Sequence, residues 1–150
     1  MAERNTPRRT GMIDYVEAYD VAASTKMEAG KIAALNTSGD AKEYAPAAAG
    51  SAGDEIVVGR IEETVDNSNG SAGDLKVRVR IGVFRWNNDT TGKVATKAHI
   101  GDAVYGTDSE TIQTDAQIQA GGAAEATKVG RLVAVDSDGA WVATGIPFLY

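Results

Sequence analysis

Apolar and charged residues alternate most clearly between positions 75 and 86 of the chain. Lys76, Arg78 and Arg80 occupy alternate positions, and the apolar positions between and beside them are Leu75, Val77, Val79, Ile81 and Val83. A period of two predicts a β-strand with one face in a core and the other facing outward. The outward face of this strand is therefore expected to carry a stripe of cations.

Shorter patterns of the same kind predict a series of further strands. Their ranges are 13–21, 31–36, 42–45, 56–65, 103–106, 111–114, 129–135 and 140–145. Turn-forming residues at 37–40 and 136–139 predict two hairpins, because Asp, Ser and Gly favour tight turns. Good helix formers occur at 45–49 and 116–126, but Pro46, Gly121 and Gly122 interrupt them, so at most short helical turns are expected.

The spacing of these strands predicts a mainly β protein, built as one small β-barrel or β-sandwich of short antiparallel strands. Residues 56–65 and 75–86 are separated by a polar loop at 66–74, which predicts that the two strands are antiparallel neighbours. In that arrangement Glu62 or Glu63 is expected to lie near Arg78. The adjacent glutamates themselves point to opposite faces of a strand, so they are expected to be solvated charges, not a catalytic pair.

Composition divides the chain into two unequal parts. The 150 residues are 43% hydrophobic and carry a net charge of −6, which suits one domain. Residues 1–12 contain Arg4, Arg8 and Arg9 against Glu3, a net charge of +2, so the other 138 residues carry −6 − 2 = −8. We therefore expect a flexible basic arm at 1–12 and an acidic β-rich domain at 13–150.

The same composition disfavours several classes of protein. The sequence has no apolar run of the roughly 18 residues that a membrane helix needs and no secretory leader, so a soluble protein made in the cytoplasm is expected. An acidic body disfavours broad binding to DNA or RNA, because it repels their phosphates. With no cysteine in the chain, thiolate metal sites and disulfides are excluded.

Candidate chemistry is sparse. His99 is the one histidine, and its spacing from Asp102 lacks a third ligand, so an ordinary loop histidine is expected. Asp136, Asp138 and Gly139 resemble the start of a calcium loop, but Pro147 stands where the distant carboxylate belongs, which favours a hairpin turn. We therefore predict no catalytic, cofactor-binding or metal-binding residues.

Two short glycine-containing phrases recur. G-S-A-G-D occurs at 50–54 and 70–74 without the Lys-Ser/Thr ending of a phosphate-binding loop. V-G-R followed by an aliphatic residue occurs at 58–61 and 129–132. We therefore expect each phrase to adopt the same turn-into-strand conformation at both of its positions. The glycines would give the backbone the freedom that a strand entry or a bulge requires.

The order of these phrases resembles the small capsid decoration, or cement, proteins of tailed bacteriophages. The resemblance spans roughly residues 13–145. It lies in turns of a small residue followed by Gly-Asp or Gly-Lys, at 29–31, 53–54 and 101–102, and in the two V-G-x-aliphatic strands. It implies a non-enzymatic virion protein, commonly a homotrimer, that binds the outer surface of an assembled capsid and clamps neighbouring major capsid subunits.

Under this hypothesis the contacts to the capsid come from the arm and from the cationic strand. The residues expected to take part are Arg4, Arg8, Arg9, Arg80, Arg85 and Trp86. Two alternatives stay open. One is a nucleic-acid-binding β-barrel using the stripe of Lys76, Arg78, Arg80 and Arg85 beside an aromatic ring. The other is a small trimeric β enzyme similar to nucleotide pyrophosphatases, although no Asp-bearing catalytic motif accompanies the G-S-A-G segments.

Overall fold

A computed structural model describes residues 14–48, 55–115 and 124–149, and the protein is mainly β as expected. Alternating apolar residues form the strands, and Gly-, Asp- and Asn-containing turns separate them. The strands are β1 (Tyr15–Asp20), β2 (Thr25–Met27), β3 (Ile32–Leu35), β4 (Ala41–Glu43), β5 (Ala47–Ala48), β6 (Ile56–Ile61), β7 (Val65–Asn67), β8 (Lys76–Asn88), β9 (Ala103–Gly106), β10 (Thr111–Gln113), β11 (Ala124–Glu125), β12 (Lys128–Asp136) and β13 (Gly139–Thr144).

The long strand β8 organises the fold because it pairs with four other strands. Its first half pairs antiparallel with β1, from Lys76 to Ile81, and its second half with β13, from Gly82 to Trp86. The first half of β8 also pairs antiparallel with β6, with Arg60 opposite Arg80. The predicted antiparallel pairing of residues 56–65 with 75–86 is therefore confirmed for β6 and β8.

Five strands close into a small barrel. Antiparallel pairing runs from β8 through β13, β12 and β9 to β10. Strand β10 then returns to β8, with Thr111 opposite Asn87, in a parallel pair. The barrel therefore departs at this closure from the expectation of antiparallel strands throughout. Strands β6, β3 and β4 extend the sheet from the first half of β8.

Both predicted hairpins are present. Strands β3 and β4 flank a turn in which the Asn36 side-chain oxygen accepts hydrogen bonds from the backbone N–H groups of Ser38 and Asp40. Strands β12 and β13 flank a two-residue turn, where Asp136 Oδ1 accepts from the N–H groups of Asp138 and Gly139. Side-chain acceptors thus satisfy the backbone donors of each turn, as their composition predicts.

The single strand predicted at 56–65 is wrong in its second part. Strand β6 ends at Ile61, and a separate short strand, β7, begins at Val65 and pairs with β2. The break falls at Glu62 and Glu63, where the last backbone hydrogen bond to β8 runs from the Glu62 N–H to the Arg78 carbonyl and both carboxylates bind arginines. The expected loop at 66–74 therefore begins with residues that belong to a strand.

The helical turns expected at 45–49 and 116–126 are also wrong where the structure describes them. Ala47–Ala48 and Ala124–Glu125 form a two-stranded antiparallel pair, β5 with β11. Residue 49 and residues 116–123 lie outside the described ranges. Short 3₁₀ turns occur instead at Lys97–His99 and Ile146–Phe148. None of the helical segments described is long and apolar enough to cross a bilayer.

The described residues bury two apolar clusters, and β8 contributes to both. Its first half supplies Val77 and Val79 to a cluster with Met27 and Ile61. Its second half supplies aromatic side chains to the barrel core, whose buried members are Ile32, Ala34, Tyr44, Val57, Phe84, Trp86, Ala95, Val104, Ile112, Val129, Leu132, Ala140 and Val142. One strand thus links two cores.

The alternation of buried and exposed side chains shifts by one residue in the middle of β8. Positions 77, 79 and 81 are buried, and then 82, 84 and 86 are buried. The shift falls where β8 exchanges its partner β1 for β13. As a result Val83, expected in the core, is only half-buried. Leu75 precedes the strand and is 42% exposed.

The two V-G-R phrases are β-bulges, as the glycines suggested. Val58 is the extra residue between two positions paired with β3, and Val129 is the extra residue between two positions paired with β9. Both valines are fully buried. A Cβ on Gly59 would overlap the Arg80 carbonyl, and one on Gly130 would overlap the Ala143 carbonyl. Glycine is needed there because another backbone approaches closely.

Candidate functional site

Three of the six residues expected to contact a partner, Arg4, Arg8 and Arg9, lie outside the described residues. The structure places a fourth, Trp86, in the barrel core. Its ring is 4% exposed and meets Phe84 edge-to-face at 6.1 Å, and its Nε1 donates to Thr144 Oγ1 at 3.0 Å. The expectation of a surface tryptophan is therefore wrong, because the shift in β8 moves position 86 from the outward to the buried set.

Arg80 belongs to an ionic network on the first half of β8. It lies opposite Arg60 in the β6–β8 ladder, where two like charges would repel each other. Glu62 accepts from Arg60 Nη2 at 2.7 Å and from Arg80 Nε at 2.9 Å, and Asp14 also binds Arg80. Burial disfavours the ionised Glu62 carboxylate, but the hydrogen bonds and charges of both arginines outweigh it and lower the pKa of Glu62.

The other two basic side chains in the first half of β8, Lys76 and Arg78, are also paired within the chain. Arg78 Nη2 lies 3.1 Å from Glu63 Oε2, which confirms the predicted cross-strand contact, and Lys76 Nζ lies 2.7 Å from Asp20 Oδ1. The hydrogen bond from Arg78 is the main reason that the pKa of Glu63 is lowered. Glu62 and Glu63 are therefore ion-pair partners and not isolated solvated charges. The three basic side chains of this half of β8 are therefore neutralised by acidic residues of the same protein.

Arg85, on the second half of β8, has a different environment. It lies opposite Trp141 in the β8–β13 ladder, and its guanidinium carbon is 5.8 Å from the centre of that ring. Its ion contact, to Asp138 at 3.8 Å, is longer than the contacts of the stripe, and Asp138 is largely exposed. A guanidinium within about 6 Å of an aromatic ring centre is attracted by the electrons of the ring and can still donate hydrogen bonds to a ligand.

Asp136 fixes the orientation of Trp141. Its Oδ2 accepts a 2.8 Å hydrogen bond from Trp141 Nε1, while its Oδ1 closes the hairpin turn. The hydrogen bond from Trp141 is the largest cause of the lowered pKa of Asp136. The hairpin predicted at residues 136–139 is thereby confirmed.

An open groove lies beside Arg85, and we call it the Arg85 groove. It has a volume of about 430 Å³, and its lining includes Gly30, Arg60, Val83, Phe84, Arg85 and Trp141. Arg60 stacks on Phe84 with its guanidinium carbon 4.2 Å from the ring centre. A smaller recess of about 270 Å³ continues past Arg85 to Lys31 and Glu110. The groove thus combines two guanidinium groups, each close to an aromatic ring, with apolar surface.

A second exposed feature is the strand β1. Among the described residues it pairs as a strand with β8 alone, so its other edge is not paired. Tyr15 is 51% exposed and Val16 is 36% exposed. An exposed strand edge with apolar side chains is a surface on which another chain can add a strand.

The remaining sequence candidates have local structural roles. His99 Nδ1 accepts a 2.9 Å hydrogen bond from the Thr96 N–H at the start of a 3₁₀ turn. In the second G-S-A-G-D phrase, Asp74 Oδ2 accepts from the Ser71 N–H at 2.8 Å, while residues 50–54 lie outside the described ranges. Within residues 14–48, 55–115 and 124–149 no three His, Cys, Asp or Glu side chains converge on a possible metal site.

Sequence patterns identified Arg85 but missed the rest of its groove. Arg60 and Phe84 meet only because β6 bulges at Val58 and β8 shifts its alternation. The contact of Arg85 with Trp141 depends on the register of two strands far apart in sequence. The one usable signal was the Asp-Ser-Asp-Gly turn, which fixes the register of β12 and β13 but not that of β13 and β8.

No protein-family model matches the sequence, and no curated protein or solved structure matches the chain either. Its function is therefore inferred from the residues and contacts described above.

Proposed function

We propose that this protein is a non-enzymatic structural component of a bacteriophage virion. In this role it binds the outer surface of the assembled capsid and clamps neighbouring major capsid subunits. The resemblance of its turns and V-G-x-aliphatic strands to capsid decoration proteins motivates the proposal. The observation that carries it is the strand β1, an edge with exposed Tyr15 and Val16 that directly follows the basic arm.

The edge and the arm suit attachment to a large protein surface. Backbone groups along β1 can bind an extended segment of a partner, and Tyr15 and Val16 add apolar contact area. The arm at 1–12 adds a net charge of +2 at the start of the same strand. Such contacts are weak singly, but repetition over a capsid, or over a homotrimer, raises the overall affinity through multivalency.

The nucleic-acid-binding alternative has less support. Single-strand binders combine a basic groove with stacking rings, and Arg85 beside Trp141 is of this type. Lys76, Arg78 and Arg80, however, are paired with carboxylates of the same chain. The trimeric-enzyme alternative gains no support from the described residues.

Co-sedimentation with purified capsids of the phage that encodes the chain tests the proposal. We expect saturable binding of the whole chain. A variant lacking residues 1–12 should unfold at the same denaturant concentration but bind about tenfold more weakly, because it loses charge contacts with capsid carboxylates. A variant with Arg4, Arg8 and Arg9 changed to glutamine keeps the length of the arm but removes its positive charges. Its affinity shows how much of the binding depends on charge and how much on contact area.

Two results would contradict the proposal. One is failure of the whole chain to sediment with capsids. The other is salt-dependent binding to single-stranded oligonucleotide that is stronger than binding to capsids, which would favour the nucleic-acid alternative. Val16→Lys on the exposed edge should weaken capsid binding, and Val133→Lys, at an exposed bulge position of β12, is its matched control.

A further inference from the structure

We propose that the Arg85 groove binds a single carboxylate presented by an acidic side chain of the partner protein. The inference deepens the proposed function and rests on it for the class of partner, a protein. It assigns the groove a ligand chemistry, a carboxylate attached to an apolar or aromatic segment.

Arg85 has the geometry of a carboxylate receptor. Its side chain is 47% exposed, and the ring of Trp141 supports its guanidinium group. Because its contact with Asp138 is 3.8 Å long and that aspartate is 73% exposed, an incoming carboxylate can compete for the guanidinium. A planar guanidinium can donate two parallel hydrogen bonds to a carboxylate, which makes this pairing stronger than an ordinary ion contact.

The rest of the groove can accept the apolar part of the ligand. Val83, Phe84 and Trp141 contribute to its lining, and Arg60 lies over the Phe84 ring at 4.2 Å. The volume of about 430 Å³ lies within the range of sites that bind small ligands or inserted side chains. A glutamate or aspartate next to an aromatic residue would fill both parts of the groove.

Acidic residues around the groove favour a ligand with one carboxylate over a ligand with many negative charges. Asp138 lies beside Arg85, and Glu110 lines the adjoining recess with Lys31. Lys31 is itself 2.9 Å from Glu28 and 3.6 Å from Glu43. One carboxylate at Arg85 has to displace only the long contact with Asp138, whereas successive phosphates of a nucleic acid would also approach Glu110 and be repelled.

The test is a titration of the full-length chain with three probes, followed through the ¹⁵N signals of Arg85 Nε and Trp141 Nε1. The probes are a capped tetrapeptide with one glutamate beside one phenylalanine, the same peptide with glutamine, and a short oligothymidylate. We expect the glutamate peptide to shift both signals with a dissociation constant of about 1 mM, as suits one shallow contact. The glutamine peptide should bind about tenfold more weakly.

Variants locate the binding. Arg85→Ala, followed through the Trp141 signal, should lower affinity for the glutamate peptide about tenfold. Arg78→Ala, on the same strand but outside the groove, should leave it unchanged. The inference is overturned by no shift, by equal binding of the two peptides, by an unaltered affinity in Arg85→Ala, or by tighter binding of oligothymidylate.

Capsid sedimentation of the same proteins separates this inference from the proposed function. If the glutamate peptide binds at Arg85 but the unaltered chain does not sediment with capsids, the proposed function fails and the carboxylate site stands. If the chain sediments but the peptide does not bind, the carboxylate site alone fails.

Discussion

In the first half of β8, residues 76–81, the basic side chains form ion pairs with carboxylates of the same chain. In the second half, residues 82–88, Arg85 lies beside the ring of Trp141. In the first half the neighbouring segments supply Asp14, Asp20 and the glutamates after β6. In the second half the neighbouring strand β13 supplies an indole. The basic side chains of the first half are thus ion-paired at short distance, whereas Arg85 has a longer contact, 3.8 Å to Asp138.

The difference lies both in the strands that pair with β8 and in the sequence of its two halves. The first half alternates basic and apolar residues, whereas the second half contains one basic residue, Arg85, between Phe84 and Trp86, which are buried in the barrel core. The shift at Ile81 and Gly82 marks the point where one environment replaces the other. A basic residue on a strand therefore indicates a binding surface only after its cross-strand neighbours are known.

The largest expected effect of a substitution in β8 is at Trp86. Trp86→Ala removes a buried ring from the barrel core and should lower the free energy of unfolding by about 3 to 5 kcal/mol. Leu75→Ala, at an exposed position just before the strand, should change it by less than about 0.5 kcal/mol. Denaturant unfolding measures both. A small loss in Trp86→Ala would contradict the assignment of position 86 to the core.

An intermediate effect is expected at Glu62 when the pH falls. Its pKa is lowered in the folded protein, so its ion pairs stabilise the fold fully above its ordinary value of about 4.3 and are lost as the pH falls through the folded value. The unfolding temperature should therefore drop as the pH is lowered from about 5 to 3.

Glu62→Gln isolates this contribution. It should cost about 1 kcal/mol at neutral pH, because two arginines lose a charged acceptor, and the drop in acid should become smaller. Glu63→Gln is the control: its more exposed carboxylate is screened by solvent, so the acid dependence should change less. An identical acid dependence in Glu62→Gln and the unaltered chain would show that the network does not depend on this residue.

The smallest effect is expected at Arg85. Arg85→Ala should change the free energy of unfolding by less than about 0.5 kcal/mol, because its one ion contact is long and exposed. Arg80→Ala should lower the unfolding temperature more, since it removes contacts to both Glu62 and Asp14. Thermal unfolding of the two variants side by side measures the contrast. Equal losses would remove the distinction between the two halves of β8.

Local patterns predicted much of the fold. The two hairpins, the long strand and the bulges at the V-G-R phrases all follow from residues close together in sequence. The break after Ile61 and the β5–β11 pair could not be predicted, because each depends on contacts with distant residues. The parallel closure of β10 on β8 joins strands that no turn connects.

The candidate site was predicted less well than the fold. Trp86 and Arg80 were expected to contact a partner, but the structure buries Trp86 and pairs Arg80 with Glu62 and Asp14. The pairing of Arg78 with a glutamate was predicted correctly. Arg85 was identified, but its stacking ring and the groove around it were not. Charge and hydropathy along one strand do not encode which residues face it across the sheet.

The sequence by itself determined that this is a small β protein with tight turns, with a basic segment at residues 1–12 and an acidic remainder. Periodicity, turn composition and charge can be predicted from the sequence because each depends on residues that are close together along the chain. Only the tertiary structure decided which cations are neutralised, where β8 changes core, and which edge and groove face outward. These depend on the register and pairing of strands far apart in sequence, which packing of the whole chain selects.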